Sequence, residues 1–287
     1  MQHLERKRRS VIYTRKKGER ERSKQGYGNE KTKKGMGMEM KIAIVTGASS
    51  GMGMEFARQL DDSLARTDEI WLLARRREPM EELAKELRHK TRVLVIDVTK
   101  DAKLVQFAEV LAISAPKITV LVNCAGVGSY GAFTAQSDEA VAEMMQLNIV
   151  ALTRMTKLCL PYMRRGSKII QLASGAAFVP QAAFAVYAAS KAYVYSLSRA
   201  LNRELDPKGI RVMAVCPGPV NTPFLAHAYG DPARLGRLKK MTMLETESVV
   251  GKALMDCKRG KSVSVCGLPM KTLYLVTQGV QNLLLRR

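Results

Sequence analysis

The chain has 287 residues, of which 46% are hydrophobic and 25% are charged, and its net charge is +21. This length and composition indicate a globular protein with one sizeable domain, although length alone allows two. The sequence contains neither the run of about 18 apolar residues that a membrane span needs nor the apolar segment of a secretory signal. We therefore expect neither a membrane span nor a secretory signal. Its positive charge attracts phosphorylated cofactors, nucleic acid and acidic lipids alike, and selects none of them.

Much of the positive charge lies in residues 1–40, which contain 13 Lys/Arg and 5 Asp/Glu. This segment has little apolar periodicity and is predicted to be a disordered basic extension. It is open to three interpretations: an arm that binds nucleic acid or a membrane surface, a solvated tail, and an extension created by choosing too early a start codon. Met36, Met38 and Met40 precede the first predicted strand, and we expect Met38 or Met40 to be the start.

The five cysteines include no C-x-x-C pair. Cys124, Cys159 and Cys216 lie within apolar runs, where a reduced and inert thiol is the ordinary state of a cysteine. We therefore expect a cytoplasmic location and no metal site.

Seven apolar runs between Lys41 and Val265 alternate with segments of helical periodicity, such as Met80, Leu83 and Leu87. Strands that are apolar on both faces and separated by helices predict a parallel sheet covered on both sides. We predict an α/β fold with a single doubly wound, Rossmann-type sheet over residues 41–266. The predicted strands are Lys41–Thr46, Glu69–Leu73, Arg92–Ile96, Ile118–Asn123, Lys168–Leu172, Ile210–Val215 and Ser262–Val265.

Residues 267–287 form a separate C-terminal segment, in which apolar residues precede Arg286 and Arg287. They are predicted to form an amphipathic helix. Packing on the same subunit or on a dimer partner is favoured over peripheral contact with a membrane, and both stay open.

A glycine-rich turn, Thr46–Gly53, follows the first predicted strand. Gly47 permits a tight turn, Gly51 lets the backbone approach a pyrophosphate, and Gly53 lets the next helix (Met54–Leu64) pack close to the sheet. A helix amino terminus also offers unpaired N–H groups and a partial positive charge to an anion. The residues predicted to bind a dinucleotide here are Gly47, Ser49, Ser50, Gly51, Met52 and Gly53.

The end of the second strand indicates which dinucleotide is bound. An acidic residue there would bond the adenosine ribose of NAD, but Ala74 occupies that position and Arg75 follows. A guanidinium binds a 2′-phosphate that a carboxylate would repel. NADP(H) is therefore predicted over NAD(H), unless Arg75–Arg77 are only the solvated start of the next helix. Further cofactor contacts are predicted where the third and fourth strands close, at Asp97, Val98, Asn123, Ala125 and Gly126.

Tyr187 and Lys191 are four residues apart at the start of a long predicted helix, so they share one helical face. Near pH 7 only about one free tyrosine in a thousand is ionised. An ammonium at about 4 Å supplies about 4 kcal/mol at an effective dielectric constant near 20, which would lower the pKa of Tyr187 enough for proton transfer. Ser174 would hold a substrate oxygen beside the phenol. Tyr193 and Tyr195 lack a lysine partner and are interpreted as packing.

Taken singly these residues are ordinary, but in this order and spacing the sequence resembles the classical short-chain dehydrogenase/reductase family across residues 41–266. One position departs from the family pattern, because Cys124 stands where the family usually has Asn. The matching motifs are T-G-x-x-x-G-x-G (Thr46–Gly53), a variant N-x-A-G (Asn123–Gly126), Asn148 within the predicted helix Asp138–Met163, Ser174, Y-x-x-x-K (Tyr187 and Lys191) and P-G-x-x-x-T (Pro217–Thr222).

The resemblance implies reversible hydride transfer between NADP(H) and a carbonyl/secondary alcohol pair. It implies that Tyr187 exchanges the hydroxyl proton, that Lys191 lowers its pKa and bonds the nicotinamide ribose, and that Ser174 orients the carbonyl. It also implies that Asn148 anchors a water in the proton relay and that Asn123 buttresses the sheet. Family members are commonly homodimers or homotetramers, so such an assembly is expected. The segment implied to meet the nicotinamide comprises Pro217, Gly218, Val220 and Thr222.

Apolar residues flank the predicted catalytic positions and favour a small apolar ketone, such as a steroid, a 3-oxoacyl thioester or an aromatic ketone, over a sugar. His227 is expected on the surface, with substrate contact as the alternative. The flanking residues are Ala176, Ala177, Phe178, Val179, Pro180 and Phe184, with Pro223, Phe224, Leu225 and Tyr229 in the loop Pro219–Leu244.

Two other functions stay open. A regulator on the same fold would bind NADPH with weak turnover or none, although the Ser174, Tyr187 and Lys191 set argues against it. A nucleic-acid-binding protein would use the basic segment. Because no recognition motif accompanies that charge and glutamates interrupt it, nucleic acid is not an expected partner.

Overall fold

The computed structural model describes residues 39–64, 67–231 and 241–284, without the side chains of residues 278–284. Residues 1–38 of the basic extension, for which disorder is predicted, lie outside the described residues. The predicted strands all fall within them.

Seven parallel strands form a single sheet. Their order is β3-β2-β1-β4-β5-β6-β7, and each neighbouring pair runs parallel. The predicted α/β fold with one doubly wound sheet is thereby confirmed. The strands are β1 Lys41–Thr46, β2 Glu69–Ala74, β3 Lys90–Val95, β4 Lys117–Asn123, β5 Met163–Leu172, β6 Arg211–Pro217 and β7 Val263–Cys266.

Nine α-helices cover the strands within the described part of the chain. A π-helical turn, Gln146–Ala151, joins two of them. The helices are α1 Gly51–Ser63, α2 Glu78–Glu86, α3 Asp101–Ser114, α4 Asp138–Met145, α5 Leu152–Cys159, α6 Ala185–Leu205, α7 Pro223–Tyr229, α8 Thr246–Lys258 and α9 Leu268–Leu284.

The strand order reverses beside β1. From β1 the chain proceeds outward to β2 and β3, and then crosses to β4 and proceeds to β7 on the other side. The connections that leave β1 and β4 therefore diverge to opposite faces and leave a crevice at the carboxyl ends of the strands. Ligands bind at this point of open α/β sheets, and the glycine-rich turn lies there.

Strand β1 is buried on both of its faces. Ile42 and Ile44 belong to one buried cluster, Ala43 and Val45 belong to another, and all four are inaccessible to solvent. Burying one such Ile or Val side chain contributes about 1.5–3 kcal/mol relative to its exposure. A strand without a polar face is stable only with helices on both sides of the sheet.

Between β4 and β6, two predicted boundaries are wrong. The predicted helix Asp138–Met163 is divided by the π turn that contains Asn148, and its last residue belongs to β5 instead. Strand β5 begins five residues before the predicted Lys168, because Ile118 of β4 pairs with Met163 and, after a register shift, Val120 pairs with Lys168. The intervening polar residues have the composition of a turn, but they form a bulge in the strand.

The C-terminal segment forms α9, whose inner face packs on its own chain. Tyr274 lies against Phe178 with a ring-centroid distance of 5.3 Å. On the outer face Leu268, Leu275 and Val276 are exposed. Among the described residues, none of the helices combines the length and the hydrophobicity that crossing a membrane requires.

A buried carboxylate ties α8 to the edge strand β7. Asp256 is 2% exposed; its oxygens accept hydrogen bonds from Lys252 Nζ at 2.6 Å and Ser264 Oγ at 2.8 Å, and Lys261 Nζ lies at 2.9 Å. Burial raises the pKa of Asp256, but these three donors outweigh it and lower the pKa to about 2. The ionised form therefore stabilises this edge of the sheet.

Replacing Asp256 with Ala should lower the free energy of unfolding at pH 7 by about 2–3 kcal/mol, because hydrogen bonds to a buried charge are lost. Since the folded pKa lies below the ordinary 3.8, the contribution is complete above pH 3.8 and is lost as the pH falls toward 2. Urea unfolding at pH 7 and pH 3 measures both effects. Asp62→Ala, at an exposed ion pair with Arg88, is the matched control, and an equal loss in the two variants would contradict the prediction.

Candidate active site

Three glycines shape the turn between β1 and α1. Gly47 and Gly51 have positive φ angles of 70° and 53°, which favour glycine. A Cβ atom on Gly53 would lie 2.2 Å from the Gly47 carbonyl oxygen. Helix α1 begins at Gly51, three residues before the predicted Met54, so the last residues of the glycine-rich turn already belong to the helix.

Behind this turn, side-chain hydrogen bonds tie β1 to β4. Thr46 Oγ1 accepts hydrogen bonds from the backbone N–H groups of Cys124 at 3.0 Å and Ala125 at 3.2 Å. Asn123 is 2% exposed, and its Nδ2 donates to Thr156 Oγ1 and Gln171 Oε1, each at 3.0 Å. The structure thus places Asn123 in the core behind the crevice, where it braces the sheet, and places Cys124 and the residues after it in the crevice wall.

Two arginines lie at the end of β2. Arg75 is exposed and its Nη1 lies 3.6 Å from Glu143 Oε1. Arg76 Nη2 donates to Ser49 Oγ at 3.2 Å and lies 3.3 Å from the Ser49 carbonyl oxygen, so this guanidinium sits on the glycine-rich turn. Arg77 pairs instead with Glu81 of α2. The sequence pattern indicates Arg75 and does not distinguish Arg76 within the run of three arginines.

Asp97 stands at the end of β3, in the same crevice. Its Oδ1 accepts hydrogen bonds from Thr99 Oγ1 at 2.7 Å and from Thr99 N at 3.0 Å. Burial raises the pKa of Asp97, but the bonds from Thr99 and the nearby charge of Arg75 outweigh it, so the pKa is lower than usual. The carboxylate is held ionised.

Tyr187, Lys191 and Ser174 converge on the crevice from α6 and from the end of β5. Tyr187 is 7% exposed and Lys191 is 3% exposed, and Lys191 Nζ lies 5.6 Å from the centroid of the Tyr187 ring. Lys191 Nζ donates to the Leu172 carbonyl oxygen at 2.9 Å. The Ser174 hydroxyl lies close enough to that of Tyr187 to lower its pKa. The predicted shared face of the helix is present, and it points into the crevice.

The expected lowering of the Tyr187 pKa is wrong. Burial raises the pKa of this phenol well above its ordinary value, and the hydrogen bond from Ser174 offsets only part of the increase. Burial also lowers the pKa of Lys191 to about 8. The expectation assumed a distance of about 4 Å between the amine and the phenol, but it did not include the desolvation of both groups, which depends on their burial in the fold. Tyr187 is therefore a neutral phenol, which can donate a proton.

Asn148 lies in the π turn, fully buried beside this group. Its Oδ1 accepts from Val127 N and its Nδ2 donates to Val127 O, both at 2.9 Å, and Nδ2 also donates to Ser190 Oγ at 3.0 Å. Ser190 Oγ in turn donates to the Tyr187 carbonyl oxygen. The side chain therefore holds the loop after β4 against the Tyr187 helix, and π turns are frequent at functional sites. Its implied contact with a water stays a prediction.

One cleft of about 630 Å³ joins the glycine-rich turn to Tyr187. Asn123 and Asn148 lie behind its wall, and every other predicted site residue lines it. These lining residues are Gly47, Ser49, Ser50, Gly51, Met52, Gly53, Arg75, Asp97, Val98, Ala125, Gly126, Ser174, Tyr187, Lys191, Pro217, Gly218, Val220 and Thr222.

Comparison with known proteins shows which family has this arrangement. A profile of the short chain dehydrogenase family matches residues 41–232, which include every element described above from β1 to α7. The chain belongs to the short-chain dehydrogenase family. It is accordingly an oxidoreductase.

Individual members of the family resemble the chain over most of its fold. A 3-ketodihydrosphingosine reductase from Bacteroides thetaiotaomicron is 36% identical over 191 residues, which cover 65% of this chain and 66% of that protein. A solved short-chain dehydrogenase from Sphingobium yanoikuyae, in complex with NADPH, is 28% identical with a TM-score of 0.75, over 86% of this chain and 96% of that one. A bulky-bulky ketone specific alcohol dehydrogenase from Comamonas testosteroni is 27% identical with a TM-score of 0.68, over 84% and 93%.

At the Tyr187 end of the cleft of this short-chain dehydrogenase, most of the lining residues are apolar. Of the predicted apolar flank, Ala177, Phe178, Val179 and Pro180 do not line the cleft, and Phe178 packs between Tyr195 and α9 instead. Helix α9 supplies further lining residues that were not predicted as site residues, because its apolar pattern does not reveal which surface it covers. The apolar lining residues at this end are Ala176, Phe184, Pro223, Phe224, Leu225, Tyr229, Pro269, Met270 and Leu273.

The remaining candidates are settled by position. His227 is exposed, as expected, and it lines the cleft wall, while its contact with a substrate stays a prediction. The cysteines are unpaired, and the pKa of Cys124 is raised by burial to about 12, which makes the thiol inert. Within the described residues no group of three His, Cys, Asp or Glu side chains could hold a metal ion.

Proposed function

We propose that this short-chain dehydrogenase transfers hydride between NADP(H) and an apolar ketone/secondary alcohol pair. The observation that carries the proposal is that Tyr187, Lys191 and Ser174 open into the same cleft as the glycine-rich turn. A pure binding protein has no use for a buried proton donor beside a buried amine.

The cleft fits a nicotinamide dinucleotide. The glycine-rich turn leaves no room for a side chain at Gly47 or Gly53, and the α1 amino terminus would hold the pyrophosphate. A Cβ atom on Gly126 would lie 3.3 Å from Lys191 Nζ, so the wall beside the amine is also kept bare. Asp97 and Val98 would meet adenine, and Pro217–Thr222 would meet the nicotinamide carboxamide. The cofactor supplies the hydride.

The side chains of the protein control the proton. In ketone reduction the carbonyl carbon gains the hydride, and the oxygen takes the proton of the neutral Tyr187 hydroxyl. The Ser174 hydroxyl holds that oxygen in place, and the Lys191 ammonium stabilises the phenolate that remains. Alcohol oxidation follows the same steps in reverse, with ionised Tyr187 accepting the proton.

Arg75 and Arg76 support NADP(H) over NAD(H). Both line the cleft at the end of β2, where the 2′-phosphate would lie, and guanidinium groups bind phosphate with charge-assisted hydrogen bonds. The solved relative with NADPH is consistent with this preference.

The names of two relatives support a ketone substrate, one referring to 3-ketodihydrosphingosine and the other to bulky-bulky ketones. The apolar lining of the cleft supports an apolar substrate.

We further propose a cytoplasmic location, which the five unpaired cysteines support, and a homodimeric or homotetrameric assembly.

Tyr187→Phe should reduce the turnover of NADPH with an apolar ketone by about 10²–10⁴-fold, because the general acid is lost, with the Kd for NADPH unchanged. Absorbance at the NADPH band and fluorescence titration measure the two quantities. Tyr193→Phe on the same helix, whose hydroxyl bonds to Thr153, is the matched control. Binding of NADPH without turnover of any ketone by the unmodified protein would instead establish the regulator.

Arg76→Ala should raise the Kd for NADPH by about tenfold or more, since a charge-assisted hydrogen bond contributes about 1.5–3 kcal/mol. The Kd for NADH should not change. Arg77→Ala removes an arginine that pairs with Glu81 and should change neither value. If Arg76→Ala weakens both nucleotides equally, the 2′-phosphate is bound elsewhere.

The rate of ketone reduction should fall as the pH rises through about 8, the pKa of Lys191, because the amine then loses the charge that stabilises the phenolate. Tyr187 remains protonated there, since its pKa is raised. In Lys191→Arg the residual activity should lack this fall, because arginine keeps its charge. A pH profile of kcat for both proteins tests this, and an identical alkaline fall in the two would exclude Lys191 as its source.

A further inference from the structure

The substrate end of the cleft has two walls of different chemistry. Three aromatic lining residues form what we call the aromatic wall: Phe184, which directly precedes α6, and Phe224 and Tyr229 of α7. Three residues of α9 form the C-terminal wall: Pro269, Met270 and Leu273. The Tyr187 hydroxyl and Ser174 belong to the same cleft.

The rings of the aromatic wall pack against Tyr187 and against one another. Phe184 stacks on Tyr187 with centroids 4.3 Å apart and planes 22° apart, and Phe224 lies 5.5 Å from Tyr187 on a tilted plane. Tyr229 lies 5.7 Å from Phe184 and stacks on Tyr130 at 4.7 Å. Phe184 and Tyr229 are 5% and 4% exposed, so their rings are fixed in position. The wall therefore presents ring faces and edges that suit a planar group.

Gly128 makes room for this arrangement. A Cβ atom on it would lie 2.8 Å from Phe224 Cζ, 3.2 Å from Tyr187 Cδ2 and 3.3 Å from Phe184 Cζ. Ala183, the residue before Phe184, adopts a left-handed φ of 57°, and its carbonyl oxygen accepts a hydrogen bond from Gly131 N at 2.8 Å. Backbone strain of this kind persists where the surrounding structure requires it, and here it accompanies the placement of the Phe184 ring on the proton donor.

The C-terminal wall is aliphatic and adjoins the segment that carries Ser174, whereas the aromatic wall packs on the Tyr187 ring. Met270 fits against two glycines: a Cβ atom on Gly175 would lie 2.5 Å from Met270 Sδ, and one on Gly218 would lie 3.1 Å from Met270 Cγ. Gly175 directly follows Ser174, so Met270 stands beside the hydroxyl that holds the substrate oxygen. Unbranched methionine adapts to irregular apolar groups.

We propose that the two walls hold the two different substituents of the ketone. A planar aromatic or conjugated group lies against Phe184, Phe224 and Tyr229, and a flexible aliphatic chain lies against Met270 and Leu273. This inference rests on the proposed function and names its substrate class: ketones with a bulky planar group on one side of the carbonyl and an extended alkyl chain on the other. The arginines and Asp97 of the lining lie at the ends of β2 and β3, in the other half of the sheet, and neither wall contains a charged group.

Three ketones with NADPH test this assignment: acetophenone, which has only the planar group; 2-octanone, which has only the long chain; and hexanophenone, which has both. The unmodified enzyme should show the highest kcat/KM with hexanophenone. Leu273→Ala combined with Met270→Ala should raise KM by about tenfold for hexanophenone and 2-octanone, since a lost apolar contact in a pocket changes specificity by about 10–200-fold. It should leave KM for acetophenone within about twofold, which is below the smallest change expected for a lost contact.

Phe224→Leu should produce the opposite pattern. It should raise KM by about tenfold for the two aromatic ketones, the size of effect expected for one lost apolar contact, and should leave KM for 2-octanone within about twofold. Leu275→Ala on the outer face of α9 and Phe133→Leu, both at exposed positions, are the matched controls and should change none of the ratios. Comparing ketones within one variant separates wall contacts from any general loss of activity.

The outcomes are distinguishable. If the unmodified protein reduces none of the ketones, the proposed function fails. If it reduces them and each wall variant changes KM for all three ketones by the same factor, the proposed function stands and the assignment of two walls is overturned.

Discussion

The burial of the Lys191 amine beside Tyr187 is the constraint on which the site depends. A charged amine taken out of water loses several kcal/mol of hydration unless polar groups replace the water. Here the Leu172 carbonyl oxygen, at the end of β5, accepts one hydrogen bond from Nζ. This bond ties α6 to the end of β5, and burial lowers the pKa of the amine to about 8.

That contact is possible because the sheet is parallel. All seven strands end at one edge, so the turn after β1, the segment after β4 and Ser174 after β5 are brought together although they are far apart in sequence. The side chains that hold them are mostly not in the cleft. Thr46 joins β1 to β4, and Asn148 joins the loop after β4 to α6. The reactive side chains are few, and the supporting hydrogen bonds behind them keep their geometry.

Much of the fold and of the candidate site was predictable from the sequence, because local patterns of residues determine those features. The seven strands are apolar runs, and the position of Tyr187 relative to Lys191 follows from helical periodicity alone. Arg76 and the lining residues of α9 were not predictable as site residues, since their roles depend on which distant surface the chain returns to. The direction of the Tyr187 pKa was predicted wrongly for a related reason: spacing gives the distance between two groups, whereas burial is a property of the whole fold.

The last wall of the cleft comes from α9, which follows all seven strands in the chain. The glycine-rich turn, Ser174, Tyr187 and Lys191 all precede residue 268 in the chain. A chain that lacked α9 would therefore still contain the proposed proton-transfer group, but its cleft would lack the lining residues of that helix. Under the proposed function, α9 would therefore contribute to the choice of substrate through Pro269, Met270 and Leu273 and would add nothing to the proton transfer itself.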